Sequence, residues 1–289
     1  MRCISYSLFL TLLLGPGSPA VAQSALVNKT AFDVDLYGNA YLLDAARNTL
    51  TLVSKDGTVV REVGGPGWGD GQFDRPAAVW ARNGIDVFVA DYGNHRIERF
   101  DRGLNFVSSL STRDSDNPDE RFGYPTDVAL SRFGDLFICD RENTRIAKVN
   151  GSSQVELTFG GFGAGKGRLQ EPSQLEIGPK DLIYVLDGRR VIIFDTFGNY
   201  VGDLLEGLFK NPTFLFADES GVMVMDAGML YCFDQTNRPL TPVSLTTTVG
   251  VDGSEIRSIA ASGGQLYVLT LTGVRHIPDP RAERSLEKE

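Results

Sequence analysis

Residues Pro76 to Phe100 read PAAVWARNGIDVFVADYGNHRIERF, and residues Pro125 to Val149 read PTDVALSRFGDLFICDRENTRIAKV. The two stretches share one grammar. A proline opens a short apolar run that ends at Val79 or Leu130. Polar and glycine residues follow, then a second run closes on an aspartate, Asp91 or Asp140. A turn carrying Asn94 and Arg96, or Asn143 and Arg145, leads into a third run. Short β-branched and aromatic runs separated by Gly, Asp and Asn are antiparallel strands joined by tight turns.

The pattern extends outward in both directions. Pro172 and Asp187 keep the same fifteen-residue spacing, and Pro212 and Asp226 stand one residue closer. An earlier copy lacks the proline but runs from Phe32-Asp-Val34 through Gly38 to Tyr41-Leu-Leu-Asp44. The last copy is the most worn: Ile259-Ala-Ala, then Gly264-Gln-Leu-Tyr267-Val-Leu, with Thr270 in place of the aspartate. Copy three also shows its fourth run, Val155 to Phe159. Six units of this period, each with about four strands, predict an all-β, six-bladed β-propeller with four antiparallel strands per blade. Blade six runs short after Ile277, so Ala25-Leu-Val27 is expected to supply its outer strand.

The motif Pro-x-x-Val, then Phe/Tyr-Val-x-Asp, then Asn-x-Arg-Ile-x-x-Phe resembles the NHL repeat. The linker Gly64-Gly-Pro-Gly-Trp-Gly-Asp-Gly-Gln-Phe73-Asp-Arg-Pro76 is similar to those of that family. The match is fullest in blades two and three. Blades four and five depart from it, with Arg189-Arg190-Val191 and Ala227-Gly228-Met229 after their aspartates.

The chain opens Met1-Arg2-Cys3, continues with an apolar run from Ile4 to Leu14, and reaches Ala20-Val-Ala22 before Gln23. A basic start, a short apolar core and an A-x-A end describe a cleavable secretory signal peptide over 1–22. The apolar run is short for a membrane span. The expected organisation is therefore a signal peptide at 1–22, the propeller at 23–280 and a charged tail at 281–289. The mature protein is expected to be periplasmic or extracellular, without a transmembrane segment, and monomeric. Cleavage would leave Cys139 and Cys232, which read as buried free thiols rather than a disulfide framework. The formal net charge of −9 opposes nucleic-acid binding, including the RNA recognition of cytosolic NHL relatives.

The repeated Asp44, Asp91, Asp140, Asp187 and Asp226 each end a strand just before a turn, which points to turn capping. Asn94 and Asn143 suit a left-handed backbone in those turns. Binding is expected where the blades differ, on the linkers 64–75, 111–124 and 160–171. In propellers of this family those linkers share a face with the turns after the repeated aspartates. The residues expected there are Trp68, Phe73, Tyr92, His95, Arg96, Arg141, Arg145, Phe162, Lys166, Arg168, Arg189 and Arg190. Arg75, Arg113 and Arg121 accompany them. Arginine and aromatic residues are the enriched types at interface hot spots. The competing use of the cations is pairing with loop acids such as Asp70, Asp74, Asp114, Asp116, Asp119 and Glu120.

No catalytic constellation is evident, and no cofactor is expected. Gly160-Gly-Phe-Gly-Ala-Gly-Lys166-Gly lacks the Ser/Thr after lysine and a following helix, so it reads as an inter-blade loop. Related propellers include calcium-dependent lactonases and the lyase half of peptide amidation. A calcium ion would need several oxygen ligands near the axis. The axis candidates, two residues after each blade-opening proline, are Ala78, Asp127, Gln174 and Phe214, and of these only Asp127 and Gln174 are weak metal candidates. The leading functional expectation is a non-catalytic scaffold that binds a protein or anionic polymer through the loop-rich face, as part of a cell-envelope or surface assembly. The alternative is a divalent-metal-dependent hydrolase or lyase with a site in the tunnel.

Overall fold

A computed structural model describes residues 30–271 and 273–282. The signal peptide, the Ala25–Val27 strand and the tail beyond Ala282 lie outside the described residues.

Six antiparallel sheets follow one another along the chain, each with its strands in sequence order. Blade one is Ala31–Val34, Ala40–Asp44, Thr49–Val53 and Val59–Gly64. Blade two is Ala78–Trp80, Asp86–Asp91, Arg96–Asp101 and Phe106–Leu110. Blade three is Pro125–Leu130, Leu136–Asp140, Arg145–Val149 and Val155–Phe159. Blade four is Pro172–Ile177, Ile183–Asp187, Arg190–Phe194 and Tyr200–Asp203. Blade five is Pro212–Asp218, Gly221–Asp226, Met229–Phe233 and Val243–Ser244. Blade six has three strands among the described residues: Ile256–Ser262, Gln265–Thr270 and Gly273–Pro278. The first strands of successive blades are neighbours, and that of blade six lies beside that of blade one, which closes the ring. Ser262 Oγ donates to Asp35 O across this junction at 3.0 Å.

The repeated proline has a register role. Pro125 pairs with Asp140, Pro172 with Asp187 and Pro212 with Asp226, and in each case the first strand then carries one extra residue. Proline donates no ladder hydrogen bond, and a bulge beside it re-aims the residues that follow. Those residues include Asp127, Gln174 and Phe214, the positions read as axial from spacing alone.

Apolar faces of adjacent blades form the core. Phe137, Phe159 and Phe194 make a chain of rings between blades three and four, with centroids 6.4 and 5.0 Å apart. Cys139 and Cys232 are buried free thiols. One short helix, α1 (Leu245–Val249), interrupts the linker into blade six. The sequence there, rich in threonine, carries no helical period. Ser244 caps it by accepting from Thr247 N, and Gly250 ends it in the left-handed region, φ 72°.

The turn asparagines require a correction. The left-handed residues are His95 (φ 55°) and Thr144 (φ 53°), each one place after the asparagine. Asn94 is needed for its side chain, which donates to Asp91 Oδ2 and to Gly67 O. Asn143 does the same with Asp140 Oδ2 and Arg121 O.

Candidate functional site: the loop-rich face and the axial cluster

The repeated aspartates do more than cap their own turns. Asp91 Oδ1 accepts from Asp74 N at 2.8 Å, and Asp140 Oδ1 accepts from Gly123 N at 3.1 Å. Asp187 Oδ1 accepts from Gln170 N and Glu171 N, and Asp226 accepts from Lys210 N and Asn211 N. In blades two to five the carboxylate thus pins the linker that enters its own blade. The expected capping of its own turn is seen in blade one, with Asp44 accepting from Ala46 N and Arg47 N, and in blade three, where Asp140 Oδ1 also accepts from Asn143 N. A buried carboxylate that accepts several N–H groups is stabilised in its charged form, and it fixes the donors in return.

Three of the expected interface arginines serve the same clasp. Arg96 is buried; it pairs with Asp91 and Glu98 and donates to Trp68 O, Gly69 O and Gln72 O. Arg145 joins Asp140 to Arg121 O, and Arg190 joins Asp187 to Arg168 O. These side chains hold loops together and are largely withdrawn from a partner. Phe73 is also withdrawn: it is 0% exposed and packs edge-on against Phe100 at 6.0 Å. Its place between two strongly turning glycine and aspartate stretches hides this from the sequence.

What the clasped linkers present is different. Trp68 is 76% exposed and Phe162 is 86% exposed. The Arg168 guanidinium lies over the Phe162 ring, 4.4 Å from its centre. Arg141, Lys166 and Arg189 are exposed and form no ion pair among the described residues. Tyr92 stacks on Tyr124 at 5.0 Å with Arg75 over its outer side, and His95 packs on Tyr124 at 4.0 Å. His95 Nδ1 accepts from Tyr124 N, which places the proton of the neutral ring on Nε2. Desolvation, aided by Arg113, lowers the His95 pKa. Tyr124 was not legible as a site residue, because only the fold brings it beneath His95. The loop acids take few of the cations: Arg75 meets Asp74 at 3.4 Å, whereas Arg113 pairs with Glu142.

At the axis the structure redistributes the roles. Asp127 Oδ2 accepts from Leu175 N of blade four at 3.0 Å, and Oδ1 from Val128 N at 2.8 Å. Gln174 Oε1 accepts from Leu215 N of blade five at 2.7 Å. Asp33 Oδ2 accepts from Ala81 N of blade two at 2.9 Å. Each thus fastens one blade's first strand to the next.

Arg82 is the residue that sequence reasoning missed. It leaves blade two, meets Asp33 of blade one at 3.4 Å, and donates to Glu176 of blade four at 2.6 Å. It also donates to Ala217 O of blade five at 2.8 Å. The ring of Phe216 lies 4.2 Å beneath its guanidinium. Burial pushes Asp127 up to about 7. Burial likewise pushes Glu176 up to about 8, although Arg82 pulls the other way. The Oε2 of Glu176 is buried without a hydrogen-bond partner among the described residues.

This donor set does not fit calcium. The oxygens of Asp127 and the Oε1 of Gln174 are engaged by backbone N–H groups, and the guanidinium of Arg82 already neutralises Asp33 and Glu176. Among the described residues no group of three or more His, Cys, Asp or Glu side chains is arranged to hold a metal.

A second buried cluster sits at the end of blade six. Arg281, expected as the first residue of a charged tail, is buried. It pairs with Asp218 of blade five at 2.8 and 3.0 Å, and with Asp279 at 2.7 Å.

A lateral cleft of about 670 Å³ opens between blades three and four. Its walls include Asn143, Arg145, Thr158, the loop Gly160 to Ala164, and Gly198, Asn199 and Tyr200 of the blade-four turn.

No protein-family model matches the chain. It is 33% identical over 134 residues to Protein brain tumor of Drosophila melanogaster, covering 45% of this chain and 12% of that protein. It is 29% identical over 110 residues to the probable peptidyl-alpha-hydroxyglycine alpha-amidating lyase pgal-1 of Caenorhabditis elegans, covering 37% of this chain and 30% of that protein. The matches therefore span less than a third of either relative. Among solved structures, virginiamycin B lyase from Staphylococcus aureus superposes with a TM-score of 0.60 at 12% identity, covering 88% of this chain and 85% of that one. A gluconolactonase from Xanthomonas campestris gives 0.59 at 11%, covering 88% of each chain. A chain of a nidogen/laminin complex gives 0.57 at 14%, covering 76% and 82%. No helix among the described residues is long and apolar enough to cross a membrane. The repeat signature, six blades closed into a ring and these likenesses together identify the chain as an NHL-type six-bladed β-propeller.

Proposed function

We propose that this protein is an exported, non-catalytic propeller that binds a protein or anionic polymer through its loop-rich face. The observation that carries the reading is the clasped linker. Buried aspartates and arginines immobilise the loops, while Trp68, Phe162 and Arg168 remain outside and exposed. Pre-set aromatic and cationic groups lose little entropy on binding, and such groups dominate interface energetics. Arg141, Lys166 and Arg189 add positive charge to this face of an acidic chain, which favours an anionic partner. A chain of this fold occurs in the complex of nidogen with laminin, which supports protein binding as a use of the scaffold. The lyase and lactonase likenesses raise the metal-dependent alternative, but the engagement of Asp127, Gln174 and Arg82 favours the binding reading.

Two measurements test it. Mass spectrometry of the exported protein is expected to find an N-terminus at Gln23. In cross-linking on intact cells, the wild type is expected to yield a defined adduct that Arg141→Glu/Arg189→Glu/Trp68→Ala abolishes. An adduct unchanged in that variant would overturn the loop-face assignment.

A further inference from the structure

We propose that the cleft between blades three and four is a subsite for an acidic sugar, and that the ligand is an anionic polysaccharide rich in uronate units. The inference rests on the loop-face reading and narrows it to one place and one chemistry.

Three observations converge on the cleft. The first is an aromatic platform. Phe162 stands 86% exposed on the loop wall, and Tyr200, 37% exposed, lines the other wall. Two partly exposed aromatic rings on facing walls of one concavity offer flat apolar faces to a ligand. The C–H face of a pyranose ring is the flat, weakly apolar counterpart.

The second is charge. Lys166 and Arg168 lie on the same loop and form no ion pair among the described residues. Arg168 covers one face of Phe162, which leaves the other face for a sugar whose carboxylate would meet the guanidinium past the ring edge. Arginine is suited to a planar carboxylate because its donors form a rigid fork.

The third is a set of unengaged donors. The loop bonds to itself through Ala164 N, Gly167 N, Arg168 N and Leu169 N, but Gly161 N, Phe162 N and Gly163 N find no partner among the described residues. Glycines at 161 and 163 let a ligand approach that backbone closely. Asn199 on the opposite wall commits its Nδ2 to Asp195, while its side-chain Oδ1 has no partner among the described residues. Amide N–H groups and an amide oxygen on residues lining one concavity match the mixed donors and acceptors of sugar hydroxyls. An acidic peptide would meet the cations equally well, but it would not call for aromatic platforms on two walls.

Binding by the purified protein is to be measured by isothermal titration calorimetry with hexagalacturonate, with maltohexaose as the neutral sugar and hexaglutamate as the acidic peptide. Hexagalacturonate is expected to bind saturably and to weaken with salt, and the other two are not expected to bind. Phe162→Ala and Arg168→Glu are each expected to weaken binding by about tenfold or more. Phe133→Ala, an exposed ring on a different turn, is expected to change nothing. Unchanged melting temperatures would show that the variants fold. Absence of hexagalacturonate binding, equal binding by Phe162→Ala, or preference for hexaglutamate would each overturn the assignment. Loss of the sugar subsite with the cellular adduct still sensitive to Arg141 and Arg189 would leave the broader loop-face reading standing.

Discussion

Arg82 of blade two donates to Glu176 of blade four at 2.6 Å, across the middle of the ring. The same guanidinium touches Asp33 of blade one and Ala217 O of blade five. One side chain therefore ties together blades that are not sequence neighbours. Removing it would leave buried Asp33, and at pH 9 the ionised Glu176 as well, without their cation. Arg82→Met is expected to lower unfolding free energy by about 3–5 kcal/mol, the usual cost of stripping one partner from a buried pair. Adding Glu176→Gln to Arg82→Met is expected to recover part of that loss. Urea unfolding of the two variants checks both statements, and equal stability of wild type and Arg82→Met would contradict them.

The axial carboxylates also predict a pH dependence. Burial holds Asp127 at about 7 and Glu176 at about 8, against roughly 4 for carboxyls in an unfolded chain. The folded state binds these protons more tightly than the unfolded state. Their contribution to stability is therefore full below about pH 4 and is lost as the pH rises through 7 and 8. The denaturation midpoint is expected to fall between pH 5 and pH 9, and Asp127→Asn is expected to flatten the fall. A midpoint that rises over that interval would show that other groups dominate.

Asp187 pins the linker into blade four through Gln170 N and Glu171 N. Asp187→Ala is expected to cost about 2–4 kcal/mol, because it leaves two linker N–H groups without their acceptor and takes from Arg190 its principal carboxylate. Hydrogen exchange is expected to quicken at residues 160–171 before it changes in the strands of blade four. Uniform quickening across the blade would mean that the clasp acts globally.

Aromatic residues of the linkers divide into two kinds. Phe73 is 0% exposed, whereas Trp68 is 76% and Phe162 is 86% exposed. Phe73→Ala is expected to cost about 3–5 kcal/mol as a cavity in packed surroundings. Trp68→Ala and Phe162→Ala are expected to stay within about 0.5 kcal/mol of the parent. Thermal melts separate the two classes directly.

Arg281 is bound on both sides, to Asp218 of blade five and to Asp279. Arg281→Ala is expected to destabilise the fold by about 3 kcal/mol, since Asp279 stays buried and Asp218 half-buried without the shared cation. A residue of a solvated tail would instead give a near-neutral change in the same unfolding experiment.

The sequence by itself determined the repeat, its strand count and its ring. Those features depend on local grammar: a proline with no donor, alternating apolar residues, and an aspartate before each turn. That grammar reads correctly because strand and turn preferences act over a few residues. It also placed Asp127 and Gln174 near the axis, since both follow the blade-opening proline at a fixed distance. Spacing could not tell which polar side chains are consumed internally. Arg96, Arg145 and Arg190 look like surface cations in one dimension, yet the fold brings linker carbonyls from 22 to 28 residues away onto their guanidinium groups. Phe73 and Arg281 were misplaced for the same reason. Only the tertiary structure decided that Arg82 would fill the centre, because its partners come from blades one, four and five. Burial, and with it the energy of a charge or a ring, belongs to what surrounds a residue, and in a closed ring much of that surrounding comes from distant parts of the chain.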